Sequence, residues 1–400
     1  MERYSEYKDS GVKWLGEIPS QWEVKRLGSF FTERRVKVSD EDYEPLSVTK
    51  LGVFPQWENV AKTNDGDNRK LVKKGDFVIN SRSDRKGSSG ISDRDGSVSL
   101  INIVLEPRKT IKAGYTNYLL KSYKFIDEYY RNGRGIVADL WTTRFEEMKM
   151  IKLAVPTIEE QLAIASYLDS VTSKIDRAIA QQQRMIELLN ERKQIIINNA
   201  VTKGLDPNVP MKDSGVEWIG MIPEHWEVRR FKTMMSIQRG HDLTSENFKD
   251  GKIPVYGSGG LMGYHNTITS KSPSIVIGRS GSVGKLHYIE EDYWAHNTAI
   301  YLTDNKGNNV KYLYFLLSSI DLSSLATQTA VPTLDRKNVL NYCVPVTIDY
   351  SEQNKIVWYI EKKIRSLDVV ISNINHQISL LQERKQIIIN DVVTGKVKVV

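Results

Sequence analysis

KDSGVKWLGEIPSQWEV, from Lys8 to Val24, returns as KDSGVEWIGMIPEHWEV from Lys212 to Val228, an offset of 204 residues. A second block, EEQLAIASYLD leading to LLNERKQIIIN (Glu159 to Asn198), returns as SEQNKIVWYIE leading to LLQERKQIIIN (Ser351 to Asn390), an offset of 192. The offsets differ by 12, so the segment between the blocks is shorter in the second copy, and it shares little with the first. Framework is duplicated and content is not. A period near 200 residues far exceeds the roughly 20 to 50 of solenoids and propellers, so a whole module has been duplicated. The expected molecule has an approximate internal two-fold and two non-identical surfaces, a form suited to a linear partner with two different half-sites.

The second block reads as a long helix in both copies. Its 4-3 apolar register runs Leu168, Ile175, Ile179, Ile186, Leu189, Ile196, with Thr172, Gln182 and Lys193 in the remaining slots. The other copy reads Ile360, Ile364, Leu367, Ile371, Ile374, Ile378, Leu381, Lys385, Ile388. A narrow, sustained heptad seam with polar flanks is the pattern of a coiled coil. Gly204 and Gly395 are the expected stops. About 40 residues give rods of roughly 60 Å. The rods are expected to pack on each other and hold two variable domains apart; the alternative is that each packs only on its own domain. Gln182 either fixes the alignment of the pair or is solvated at a frayed or splayed point.

Each variable middle reads as a mixed α/β domain. In the first, residues 76–80 and 99–107 are expected strands and 116–130 a helix; in the second, 274–278, 285–289 and 298–302 are strands and 311–320 a helix. Between the strands lie basic loops rich in glycine and serine, SRSDRKGSSG (81–90) and GRSGSVG (278–284), matched in place but not in letters. Trp14 and Trp22, matched by Trp218 and Trp226, belong to the shared framework and are expected to be packing anchors.

Bulk properties narrow the partner. The net charge is +7 and the pI about 9.1, which favours a polyanion. Residues 26–157 carry 24 Lys+Arg against 18 Asp+Glu, residues 229–349 carry 13 against 10, and residues 158–205 balance at 6 against 6. The positive excess therefore lies in the variable middles. The single cysteine, Cys343, excludes an intrachain disulfide and a Cys-based zinc site and fits a reducing cytoplasm. No apolar run reaches the roughly 18 to 20 residues that span a bilayer, and MERYSEYKDS does not read as a signal peptide.

Several chemistries are disfavoured. GRSGSVGKL invites a phosphate-loop reading, but Arg279 stands where that motif needs glycine, and Leu286 follows Lys285 where it needs Ser or Thr. The six histidines have no metal-ligating spacing. Neither G-x-S-x-G nor the Asp/Asn-Pro-Pro-Tyr/Phe motif of adenine amino-methylation occurs.

With SGVKWLGEIPSQWEV and SGVEWIGMIPEHWEV opening two halves, and paired ERKQIII helices closing them, the sequence resembles the specificity subunit of type I restriction-modification systems. AVPTLDRKNVLNYCVPV (330–346), running into Glu352 and Gln353, resembles that family's exit from a target-recognition domain. VADLWTTRFEEMKMIKLAVP (137–156) holds the same place in the first half without the VPTL wording. The resemblance implies an α+β architecture: two homologous target-recognition domains separated by two long helices that form an antiparallel coiled coil, with pseudo-two-fold internal symmetry. The implied organisation is a first target-recognition domain over 1–157 with framework 8–24, a central helix over 158–205, a second domain over 206–349 with framework 212–228, and a distal helix over 350–400.

The resemblance also implies a bipartite, asymmetric double-stranded DNA target with a fixed spacer. Two methyltransferase subunits and restriction/translocase subunits are the implied partners, carrying S-adenosylmethionine, ATP and Mg; the chain itself is expected to bind no cofactor, to catalyse nothing, to serve bacterial defence in the cytoplasm and to have no membrane partner. The alternatives are a polypeptide with its own catalytic site and a coiled-coil scaffold that binds no nucleic acid. Base readout needs Arg, Lys, Asn, Gln, Ser or Thr on exposed loops. The candidates are Arg82, Arg85, Lys86, Arg134, Thr142, Thr143 and Arg144 in the first domain, and Gln238, Arg239, Arg279, Ser280, Ser282, Lys285, His296, Asn297 and Gln328 in the second.

Overall fold

The computed structural model describes residues 2–56, 66–135, 141–244, 246 and 248–399. It divides into two compact units, one formed by Met1–Gln182 with His376–Val400 and the other by Gln183–Asn375. The sequence-based boundaries give each long helix a segment of its own. The compact units instead split both helices, because a heptad seam is buried only by a partner seam, and here the partner comes from the far end of the chain.

The helices run Ile158–Lys203 and Tyr350–Val393. Along both, the expected seam positions are the less exposed ones, and their flanks are largely exposed. In the first unit Lys385 bonds Asp176 at 2.6 Å and Gln182 donates to Gln377 at 3.1 Å, so the helical stretches run antiparallel. In the second unit Lys193 bonds Asp368. Asp176 and Asp368, like Lys193 and Lys385, are 192 residues apart, so each unit contains the same Lys–Asp closure made by opposite copies. A lysine in a seam slot lays its stem along the apolar stripe and carries its charge to the rim.

Each copy of the framework opens with a hairpin, Tyr7–Asp9 with Glu17–Pro19 in the first unit and Met211–Asp213 with Met221–Pro223 in the second. The framework strand that follows, Glu23–Arg26 or Glu227–Arg230, pairs antiparallel with the strand just before the long helix, Lys152–Val155 or Cys343–Val346. The variable segment thus leaves and rejoins the framework at one two-stranded ribbon.

Within each variable segment a four-stranded antiparallel sheet has the same connectivity. Its order is Phe31–Glu33, Asn102–Pro107, Phe77–Asn80, Ser89–Ile91 in the first unit, and Ser236–Arg239, Ala299–Asp304, Ser274–Gly278, Leu286–Ile289 in the second. SIVIG is continuously apolar apart from its ends because both faces are covered. Ile275 and Ile277 join the main core, while Val276 joins a smaller cluster with Tyr293, Ala295 and Tyr301. Phe77 and Ile79 are likewise separated from Val78.

Two expected elements divide. Residues 99–107 contain the end of Gly96–Ser99 and then Asn102–Pro107. Residues 116–130 hold two helices, Ala113–Lys121 and Tyr123–Arg131, because Ser122 turns extended and its hydroxyl accepts from the Phe125 N–H. This is ordinary N-cap chemistry.

The duplicated tryptophan and glutamate form a lock. Trp22 and Trp226 are fully buried, and their indole N–H groups donate to Glu160 and Glu352 in the first turns of the long helices, both at 3.1 Å. The next residue continues the lock. Gln161 accepts from the Lys112 N–H at 2.9 Å and donates to Pro156 O, while Gln353 accepts from the Asn309 N–H at 2.9 Å and donates to Thr347 O. Lys112 and Asn309 precede the first helix of their domains. Gly204 and Gly395 have positive φ, +73° and +74°, and lie against Trp226 and Trp22. A side chain at 395 would meet Pro19 at 2.4 Å. Of the other pair, Trp14 packs half-buried on the first unit's core against Phe125, whereas Trp218 departs from the anchor expectation, 49% exposed beside Tyr342.

Candidate nucleic-acid interface

Both basic loops occupy one topological place. The 81–88 loop joins Phe77–Asn80 to Ser89–Ile91, and the 279–285 loop joins Ser274–Gly278 to Leu286–Ile289. Each connects antiparallel neighbours, whereas a phosphate loop must lead from a strand into a helix. The glycines of GRSGSVG instead close a tight turn: Gly284 N–H donates to Gly278 O at 2.9 Å, and a side chain at Gly278 would lie 2.0 Å from Ser282 O.

A second segment returns to each hairpin. Arg82 bridges Thr142, and Ser280 bridges Thr333. Both returning segments then enter a short helix, Phe145–Met148 after Arg144 and Arg336–Asn341 after Asp335. Residues distant in sequence thereby form two grooves. The groove of the first unit, about 810 Å³, is lined by Arg35, Lys37, Lys70, Arg82, Thr142 and Arg144, with Glu33 and Glu146 as counter-charges. The groove of the second, about 270 Å³, gathers Arg239, Arg279, Thr327, Thr333 and Arg336 around one carboxylate, Asp335. Arg279 and Arg336 make no ion pair among the described residues.

The remaining candidates separate clearly. Arg85 is exposed beside Asp84, and Lys86 is held by Asp127 at 2.6 Å. Arg134, 82% exposed at its side chain, lies 3.3 Å from Glu147 and bridges Thr142 through its backbone. Gln238, Ser282 and Gln328 are exposed and Ser280 half-buried. Lys285 reaches Gly259 O at 2.9 Å. Arg239 and Asn297 converge on Asp242; the Asn297 hydrogen bond, aided by the Arg239 charge, holds that carboxyl below its usual range.

Two candidates are corrected. Thr143 is buried, its hydroxyl donating to Tyr129 O at 3.1 Å and its carbonyl accepting from the Tyr129 hydroxyl at 3.0 Å. His296 is 8% exposed, and its ring nitrogens face Thr298 Oγ1 at 2.9 Å and Leu243 O at 3.0 Å. Both are scaffold, with their polar atoms used internally. The segment 137–156 was expected to hold the first domain's exit, and its residues 137–140 lie outside the described residues.

Arg336 and the cluster of Arg35, Lys37 and Lys70 line the grooves without being among the candidates expected from the sequence. Asp335 accepts from the Lys337 N–H at 2.8 Å as a helix N-cap, so the Asp-Arg-Lys run was a readable helix start. Lys37, in the strand Lys37–Val38, lies directly opposite Lys70 of the antiparallel strand Arg69–Val72, a like-charge placement that only strand pairing reveals. Among the described residues no cluster of three or more His, Cys, Asp or Glu could hold a metal ion, and no helix is long and apolar enough to cross a membrane.

The chain matches the family described as type I restriction modification DNA specificity domain over residues 19–188 and 223–380. It is 25% identical to the type I restriction enzyme MjaVIII specificity subunit of Methanocaldococcus jannaschii, across 98% of this chain and 97% of that one. It is 23% identical to the putative MjaX specificity subunit of the same organism, over 98% of both. Among solved structures, a chain from work on complex assembly and conformational transition of the type I R-M system superposes with a TM-score of 0.69 at 13% identity, covering 94% of this chain and 98% of the other. The HsdS subunit from Thermoanaerobacter tengcongensis gives 0.51 at 13% identity, covering 97% and 100%.

Proposed function

Because the chain belongs to the type I restriction-modification DNA specificity family and is a specificity subunit with two target-recognition domains, we propose that each groove reads one half of a bipartite, asymmetric duplex target. One observation carries this reading: the same hairpin and returning segment are built twice, with different side chains in equivalent places. Arginines reach guanine O6 and N7 bidentately in the major groove. Arg279 and Arg336 therefore favour a guanine in the half-site of the second unit. The mixed lining of the first unit, with Glu33 and Glu146 among its cations, favours a different half-site.

The helices serve as the spacer between the half-sites in this reading. Methyltransferase and restriction/translocase subunits supply adenine-N6 methylation, ATP-driven cleavage and the S-adenosylmethionine, ATP and Mg they need, while this chain binds no cofactor and works in the cytoplasm. Two methyltransferase copies are supported by an exposed apolar pair that occurs twice at an offset of 192: Leu188 and Ile195, 44% and 57% exposed, and Leu380 and Ile387, 49% and 47% exposed. Members of each pair are seven residues apart, two turns along one face.

Methylome sequencing of a host expressing the chain with its methyltransferase tests the reading. A gapped adenine-methylated motif is expected, and an ungapped or absent motif defeats it.

A further inference from the structure

In the first unit, among residues that do not line the recognition groove, four cationic side chains meet at one pocket of about 410 Å³: Arg3, Lys13, Lys124 and Lys396. They come from the opening segment, from Tyr123–Arg131 and from the chain beyond the distal helix. Trp14 supplies the apolar wall, and Glu17 is the one carboxylate on the lining. Lys396 has a weak counter-charge in Asp391, at 3.9 Å. Burial and then the neighbouring Lys396 ammonium depress the Lys124 pKa. Like charges gathered this closely are costly unless an anion joins them.

Among the described residues the second unit does not repeat this arrangement at its equivalent framework positions. There Glu217 replaces Lys13 and Met221 replaces Glu17, while Trp218 is largely open to solvent. The pocket therefore does not belong to the duplicated framework. It lies close to the recognition hairpin: Lys86 of that loop bonds Asp127, one helical turn beyond Lys124. The Tyr130 hydroxyl on the same helix donates to Asn80 O at 3.1 Å and to Arg85 O at 3.3 Å.

We propose that Arg3, Lys13, Lys124 and Lys396 form a phosphate-binding site that exists in the first unit alone. Its ligand is a phosphate group, supplied either by duplex backbone flanking the half-site or by a free phosphorylated small molecule.

The test uses the full chain and the double variant Lys124→Gln/Lys396→Gln, with Lys203→Gln, an exposed lysine at the end of the central helix, as control. Circular dichroism first establishes that all three fold alike. Pyrophosphate titration by calorimetry should show saturable binding in the parent and control, weakened at least about tenfold in the double variant. Binding to a duplex carrying the methylome motif is then measured across salt concentrations. A log–log slope reduced by about one or more identifies a backbone phosphate; an unchanged slope with lost pyrophosphate binding identifies a free ligand. If neither pyrophosphate binding nor the slope distinguishes the double variant from the parent, the proposal is overturned.

Discussion

Arg279 and Thr143 show how differently two polar loop residues can serve. Arg279 fixes its backbone through N–H donation to Thr298 O at 2.9 Å and acceptance from the Leu334 N–H, leaving its guanidinium to the groove. Arg279→Ala should weaken duplex binding. A guanine contact predicts relaxation of one motif position, at about 1–3 kcal/mol, whereas a phosphate contact predicts a uniform loss and a salt slope lower by about one; binding curves on single-base variants separate the outcomes. Thr143 spends its hydroxyl inside the domain, so Thr143→Val should lower stability by about 1 kcal/mol without altering the motif. Denaturant melts and methylome sequencing check the two halves of that statement. The framework tryptophans lead to a further expectation. Trp226→Phe removes the N–H that Glu352 accepts and should cost about 1–3 kcal/mol, again with an unchanged motif; a changed motif would place the Trp–Glu lock in readout and not in the frame.

At the scale of the element, the helices carry two lysines in seam slots, with side chains 19% and 25% exposed, and each is satisfied by an aspartate on the opposing stretch. Largely exposed carboxylates contribute little through such pairs, about 0–1 kcal/mol. An apolar residue in the slot gains from burial. Lys193→Ile with Lys385→Ile is therefore expected to raise the melting midpoint by a few degrees, at about 2–4 °C per kcal/mol gained. A fall would show that the Lys–Asp closures contribute more than the seam. Inserting four residues into each helix lengthens it by about 6 Å, nearly two base-pair steps at roughly 3.4 Å. The spacer in the methylome motif should lengthen while both half-sites persist, and an assembling variant with its spacing intact would exclude the helices as the determinant of distance.

For the whole molecule, the ribbon of Glu227–Arg230 with Cys343–Val346 explains why a reader can be exchanged. Replacing residues 235–344 by the equivalent segment of a relative leaves the ribbon's first strand and the latter half of its second in place, so one half of the motif should change and the other remain; a change in both would end the modular reading. The duplication itself, the helical register and the strands SIVIG and DFVIN were legible because framework identity and hydrophobic period are local properties of the chain. The grooves were legible only in part. Arg279 could be picked from its loop, but Arg336 joins it through a bridge between Ser280 and Thr333, 53 residues apart, and the Lys37–Lys70 pairing needed a strand register. His296 reads as a loop donor until tertiary packing gives both its nitrogens internal partners. Sequence alone determined that there are two related readers on one frame, since periodicity and repetition survive without coordinates. Tertiary structure decided which polar side chains remain free to read and which helical half packs with which domain, because burial and long-range pairing depend on contacts between residues far apart in the chain.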